Sequence, residues 1–219
     1  IEIDETFAKS ALIKGKLPQG YIYLPSFYTD FTRTGAHHCS QDVRREIEKL
    51  KSQGIRGLVL DLRDNGGGSL QEAVDLAGLF IDRGPVVQVR SKFQDYRVLE
   101  DVNAGSVWDG PLVILINHNS ASASEILSAA IQDYKRGWIV GTPSYGKGTV
   151  QSFIDLDQLV PEHMASLRPA GSVKVTQQKF YRINGGSTQL KGVTPDVLLP
   201  DLYEYLDLGE KEMFNPLSW

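Results

Sequence analysis

Gly57-Leu-Val-Leu-Asp-Leu-Arg-Asp-Asn-Gly-Gly-Gly-Ser-Leu-Gln-Glu72 reads as a strand, a tight turn and the start of a helix in one unbroken run. Gly57 to Leu62 is almost continuously apolar, the pattern of a parallel strand buried on both faces. Asp64-Asn-Gly-Gly-Gly68 then supplies glycines, which permit positive φ and close approach of backbone. Ser69 and Glu72 have the spacing of a capping box, and Ala73, Leu76, Ala77 and Phe80 give the following helix one apolar face.

The same alternation extends to both sides. Tyr21-Ile-Tyr-Leu24 reads as a strand. Ser40 or Asp42 can cap a helix whose apolar positions Val43, Ile47 and Leu50 recur at helical spacing before Gly54 ends it. Downstream, Pro85 to Arg90 and Leu112-Val-Ile-Leu-Ile116 read as strands, followed by a helix from about Ser122 to Lys135 and the strand Trp138-Ile-Val140. A β-rich tail at 170–200 runs through Ser172 to Tyr181, turns at Asn184-Gly-Gly186 and continues to Leu199. Residues 1–20, punctuated by Gly15, Pro18 and Gly20, are expected to be edge strands. The expected architecture is an α/β layer fold with extra strands at both ends.

Bulk properties exclude several classes. With 219 residues, 41 % apolar and 23 % charged, the chain suits one large globular domain and is neither disordered nor collagen-like. A net charge of −4 without a basic tract argues against nucleic acid. No apolar run approaches the ~20 residues that span a bilayer. Cys39 is the single cysteine, so no intrachain disulfide forms. The start at Ile1 reads as that of a piece excised from a longer protein.

The chemistry concentrates in two stretches, Asn119-Ser-Ala-Ser-Ala-Ser-Glu125 and Tyr145-Gly-Lys-Gly-Thr-Val-Gln151. Ser122 stands where a buried strand gives way to a helix. There its hydroxyl can cap an N–H, in a box with Glu125, and caps are commoner than nucleophiles. The same helix N-terminus also offers unpaired N–H groups and partial positive charge to an oxyanion. Ser120 and Ser124 compete with Ser122 on spacing alone. Lys147 between two glycines is either a surface lysine in a turn or, if buried beside a serine, a base with its pKa lowered toward ~7–8. A serine with a lysine base can cut acyl bonds without histidine or metal. Gln151 could orient that amine, though positions i and i+4 of a strand lie ~13 Å apart, which demands a tight turn after Lys147; otherwise Gln151 is an ordinary strand amide.

The glycine turn at 66–68 lacks the spacing of a Walker loop or a dinucleotide fingerprint, which leaves a structural turn or half of an oxyanion hole. One such donor is typically worth ~3–4 kcal/mol of transition-state stabilisation. Asp133 would sit roughly 16 Å along the helix from Ser122, too far for a triad, and is expected to pair with Lys135 or Arg136. Glu125, one turn from Ser122, is expected to be structural. His37, His38, His118 and His163 form no Ser-His-Asp pattern, and His37, His38 and Cys39 lack a second ligand pair with zinc spacing. No metal or cofactor is expected.

Together these segments resemble the carboxyl-terminal processing proteases, in their tail-specific branch. The likeness rests on Leu60 to Gly68, Asn119 to Tyr134, Gly141 to Gln151, Gln178 to Ser187 and Lys191-Gly-Val-Thr-Pro-Asp196, and covers most of the chain. The resemblance implies Ser122 as nucleophile, Lys147 as base, Gln151 as its orienting partner, and an oxyanion hole from the N–H groups of Gly68 and Ala123. It implies a Clp protease/crotonase-like core with a mixed β-sheet and flanking helices, and residues 1–219 as a single catalytic core that follows a PDZ module. It further implies protein or peptide substrates with exposed C-termini, a possible adaptor protein, and an exported, periplasmic setting. A non-catalytic ligand-binding module on the same fold and a crotonase-like acyl-CoA enzyme are the competing readings.

Overall fold

In the computed structural model, residues 7–29, 37–92, 94–203 and 205–218 are described, apart from the side chain of Gln94. Of the expected N-terminal β segment, residues 1–6 lie outside that range. The described part holds β1 (Lys9–Ile13) and β2 (Gln19–Tyr23), followed by α1 (Cys39–Ser52), β3 (Gly57–Asp61) and α2 (Leu70–Ala77). After these come β4 (Gly84–Ser91), β5 (Gln94–Asp101), β6 (Leu112–Ile116), α3 (Ala123–Asp133), β7 (Trp138–Gly141), β8 (Thr149–Asp155), β9 (Ser172–Tyr181) and β10 (Val197–Leu198).

One sheet has the order β1-β2-β3-β6-β7-β10, and a second has β5-β4-β9-β8. In the first, β2, β3, β6, β7 and β10 run parallel while β1 is antiparallel to β2, so the sheet is mixed. The cross-strand row Ile22, Leu60, Ile114 and Ile139 is fully buried. It packs in one core with Val43 and Ile47 of α1, Leu76 of α2, and Leu127 and Ile131 of α3. The neighbouring row, Tyr21, Val59, Val113 and Trp138, points to the opposite face and stays partly exposed. Each fully buried aliphatic side chain contributes roughly 1.5–3 kcal/mol, so this alternation pins the register and places the helices on one face.

Parallel order puts the C-terminal ends of β3, β6 and β7 side by side, where loops of an α/β sheet build sites. The Gly66–Gly68 turn follows β3, Ser122 follows β6, and the Lys147 loop follows β7. The second sheet closes over this edge, because β8 continues from the Lys147 loop and pairs with β9.

The helix starts differ from expectation. The N-cap of α1 is His38, with extended backbone and no side-chain cap, while Ser40 and Asp42 lie in the first turn. Ser69 does accept from Glu72 N at 3.3 Å, but the Glu72 carboxylate does not complete the box. It turns instead to α1, taking the Ser40 N–H at 2.9 Å and meeting His38 Nδ1 at 2.9 Å. A carboxylate at a neighbouring helix's N-terminus satisfies an orphan donor and favours the helix dipole, and burial between α1 and α2 makes that the stronger use. Two strands, β5 and β8, were not expected from the sequence.

Candidate active site

The glycine turn and the serine loop are stitched together by hydrogen bonds to Asn65 and Asp64. Asn65 is fully buried. Its Nδ2 donates to Leu24 O at 2.8 Å and its Oδ1 accepts from Gly67 N at 2.9 Å. Its carbonyl accepts from Ala121 N at 3.0 Å and from Ser124 Oγ at 2.8 Å. Asp64 adds a second tie, its Oδ1 accepting from Asn117 Nδ2 and Asn119 Nδ2, each at 2.9 Å. Those two donors hold the Asp64 carboxyl below its usual range. Gly67, at φ 99°, lies so close to the serine loop that an added Cβ would stand 2.7 Å from Ala121 O and 2.9 Å from Ser122 Cβ.

Among the three serines the surroundings discriminate where spacing does not. Ser120 is fully buried and its hydroxyl donates to Leu62 O at 2.8 Å while accepting from Asn117 N at 2.9 Å. Ser124 is likewise buried, and bound to Asn65 O. Ser122 is half-buried and lines a cavity of about 590 Å³. Its backbone, at φ 57° and ψ −110°, occupies a region that L-residues avoid at a cost of roughly 1–3 kcal/mol. The capping box expected with Glu125 is present around it, with the Glu125 carboxylate on the Ser122 N–H.

The cavity brings together all five residues expected from sequence. Gly68, Ser122, Ala123, Lys147 and Gln151 line it, with Gly66, Gly67 and Thr149, and its apolar wall is formed by Leu70, Ile126, Val150 and Phe180. Among the described residues, no protein acceptor takes the backbone N–H of Gly68 or Ala123. Lys147 Nζ donates to Gln151 Oε1 at 3.1 Å, and no hydrogen bond among those residues joins it to Ser122 Oγ. No tight turn follows Lys147. Strand β8 begins at Thr149, and a register shift between Val150 and Gln151 marks an irregularity of the kind that re-aims a side chain.

Glu125 links the two halves. It is fully buried at the start of α3. Oε2 accepts from Ser122 N at 2.7 Å and from Lys147 N at 2.9 Å. Oε1 accepts from Ser144 Oγ at 2.7 Å and from Gly146 N at 2.8 Å. Burial pushes this carboxyl up to about 7, against the pull of those four hydrogen bonds. Half-buried Lys147 is held below its ordinary range, first by burial and then by the like charge of Lys174, with Glu210 and Glu125 acting in the opposite sense.

Lys174, on β9, is a cavity residue that the sequence reading missed. Its membership depends on the β8–β9 register, which sets it opposite Phe153. Asp133 is absent from the cavity lining, and its expected partners are corrected. It accepts from Arg182 Nε at 3.0 Å and Nη2 at 2.6 Å, and from Asn184 Nδ2 at 3.0 Å. Arg136 turns instead to the carbonyls of Phe80, Trp108 and Gly110. The α3 terminus meets the turn after β9 there, so the tertiary guanidinium outcompetes the local cations.

Residues 19–199 match the model of peptidase family S41. The chain is 48 % identical over 204 residues to the tail-specific protease of Haemophilus influenzae, an alignment covering 90 % of this chain and 27 % of the relative. It is 35 % identical over 201 residues to the carboxy-terminal-processing protease of Bartonella bacilliformis, covering 89 % and 43 %. The solved photosystem II D1 C-terminal processing protease superposes with a TM-score of 0.69 at 31 % identity, over 91 % of this chain and 49 % of that one. The family match, the relatives and the shared fold agree on one class of protein. The chain belongs to peptidase family S41. It spans less than half the length of each of these relatives.

Proposed function

We propose that this chain is the catalytic core of a serine endopeptidase that cleaves proteins through their C-terminal tails, with Ser122 as nucleophile and Lys147 as general base. The observation that carries the reading is the convergence on one cavity of Ser122, the Lys147–Gln151 pair, and Gly68 and Ala123, whose N–H groups have no acceptor among the described residues. Ser122 Oγ attacks the peptide carbonyl carbon and its proton passes to Lys147 Nζ. The negative charge that develops on the carbonyl oxygen is taken by the N–H groups of Gly68 and Ala123, at the positive end of α3. Lys147 then protonates the leaving amine, and water hydrolyses the acyl-enzyme with the same lysine as base.

Base action requires a neutral amine near working pH, and burial beside Lys174 moves Lys147 in that direction. Gln151 accepts one amine hydrogen, which orients the nitrogen lone pair. Closure of the Ser122–Lys147 hydrogen bond belongs to the substrate complex, since catalytic bonds tighten on binding. The wall of Leu70, Ile126, Val150 and Phe180 suits an apolar side chain next to the scissile bond. We further propose protein substrates with exposed C-termini, delivered in part by a PDZ module or an adaptor, in an exported compartment such as the periplasm.

Ser122→Ala and Lys147→Ala are each expected to abolish peptide cleavage with circular dichroism and Tm close to the parent. Cleavage retained by either variant contradicts the assignment.

A further inference from the structure

Among the described residues, the cavity that holds Ser122 is lined by two lysines and by no aspartate or glutamate, in a chain whose net charge is −4. One of the two, Lys147, has to be neutral to act as a base. The other, Lys174, acts in the chemistry proposed above only through the effect of its charge on Lys147. It is exposed and stands directly opposite Phe153 in the β8–β9 pairing. Its Nζ lies 5.6 Å from the centroid of the Phe153 ring, and that ring is itself 72 % exposed at the cavity. Among the described residues no carboxylate lies within ion-pair distance of Lys174.

We propose that Lys174 is a specificity-determining residue that pairs with a carboxylate of the bound peptide. The inference rests on the peptidase reading and says what kind of peptide the cavity prefers. A positive charge with no carboxylate partner among the described residues, on a cavity wall that carries a second lysine, draws a negative group to it and disfavours a positive one. The Phe153 ring, beneath the ammonium, leaves the outer side of that charge open to the ligand. The free α-carboxylate of a short C-terminal tail and the side chain of an aspartate or glutamate near the scissile bond supply the same chemistry.

The test uses direct binding in the Ser122→Ala background, read by fluorescence anisotropy of labelled octapeptides that differ only in charge. One is neutral with a C-terminal amide, one is the same sequence with a free carboxylate, and a set of amides carries a single glutamate at successive positions. We expect one or more carboxylate peptides to bind tighter than the neutral amide by about two- to fivefold, the range of a solvent-exposed ion pair. Adding Lys174→Gln is expected to erase that advantage while leaving the neutral peptide's Kd unchanged, Lys174→Arg to restore it, and 0.5 M salt to erode it. The peptide that loses its advantage identifies the source of the carboxylate. Equal weakening of all peptides by Lys174→Gln, no weakening of any, or failure of every peptide to bind overturns the proposal. Cleavage of the neutral amide by the parent chain is followed separately. If that peptide is cut but charge discrimination is missing, Lys174 alone has been misread. If the parent chain cuts nothing, the peptidase reading fails, and the binding comparison still decides Lys174.

Discussion

Glu125→Gln separates positioning from stability more cleanly than any other change in this molecule. The carboxylate holds the backbone of Ser122 with the same oxygen that holds the backbone of Lys147. Its other oxygen holds Ser144 Oγ and Gly146 N. A carboxyl raised from 4.5 to about 7 by burial carries a penalty of about 3 kcal/mol on its ionised form, and a neutral amide of the same shape escapes it. Against that gain, the amide's NH2 faces two former donors whichever way it flips. The better flip keeps oxygen toward Ser122 N and Lys147 N, lets Ser144 turn to accept, and strands Gly146 N at a cost of about 1–3 kcal/mol. The two effects nearly cancel, so Tm at pH 8 is expected to stay within about 5 °C of the parent. Activity is a different matter, because charged anchors become neutral ones at both halves of the dyad. A displacement on the order of 1 Å is worth about 100-fold in rate. The pH dependence carries the sign. The folded carboxyl keeps a proton that the unfolded chain has released between about pH 4.5 and 7, so its contribution to stability is full at low pH and lost as pH rises through about 7. The parent's Tm relative to the variant's should therefore fall from pH 5 to pH 8. Differential scanning calorimetry and kcat/KM on one fluorogenic peptide read both quantities. A variant with kcat/KM within threefold of the parent, or a Tm difference that grows with pH, refutes the reasoning.

Gly67→Ala should lose activity and at least about 2 kcal/mol of stability, because its Cβ would crowd Ala121 O and Ser122 Cβ at a φ of 99°; urea denaturation with stability unchanged would show that the close approach is dispensable. Asp133→Ala leaves the partly buried Arg182 without its carboxylate, holding only Gln132 Oε1, and is expected to destabilise by about 3 kcal/mol with kcat/KM within threefold at a temperature where the variant stays folded. Loss of turnover in such a folded variant would return Asp133 to the catalytic apparatus. Removing the Lys174 charge relieves part of what holds the Lys147 ammonium down. The Lys147 pKa then rises, less free base is present at a given pH, and the acid limb of the kcat/KM profile for a neutral peptide amide should move to higher pH in Lys174→Gln. A limb that does not move contradicts the electrostatic link.

Much of this was legible in the chain. Val43, Ile47 and Leu50 at helical spacing, and Leu112 to Ile116 as an unbroken apolar run, report burial through periodicity, which is a local property. Strand β5 was missed because it is an outer strand of its sheet and exposes Tyr96 and Val98, so its residues do not alternate as a half-buried strand would. Strand β8 was missed for a similar reason, since Gln151, Phe153 and Asp155 are exposed and only Thr149 is buried. Ser122 could be singled out only as one of three serines. What separates it is that Ser120 and Ser124 spend their hydroxyls on Leu62 and Asn65, carbonyls far away in sequence. The reach of Glu125 was invisible for the same reason, as three of its four donors lie about 20 residues downstream. Glu72 shows the limit of a local motif. The capping-box spacing was present, and a neighbouring helix supplied the carboxylate with a better partner.

The most direct test of the account is to treat the chain with a serine-reactive fluorophosphonate and map the modified residue by peptide mass spectrometry. The account predicts a single adduct on Ser122, formed much more slowly in Lys147→Ala. An adduct on Ser120 or Ser124, or labelling of Ser122 at an undiminished rate without Lys147, would contradict it.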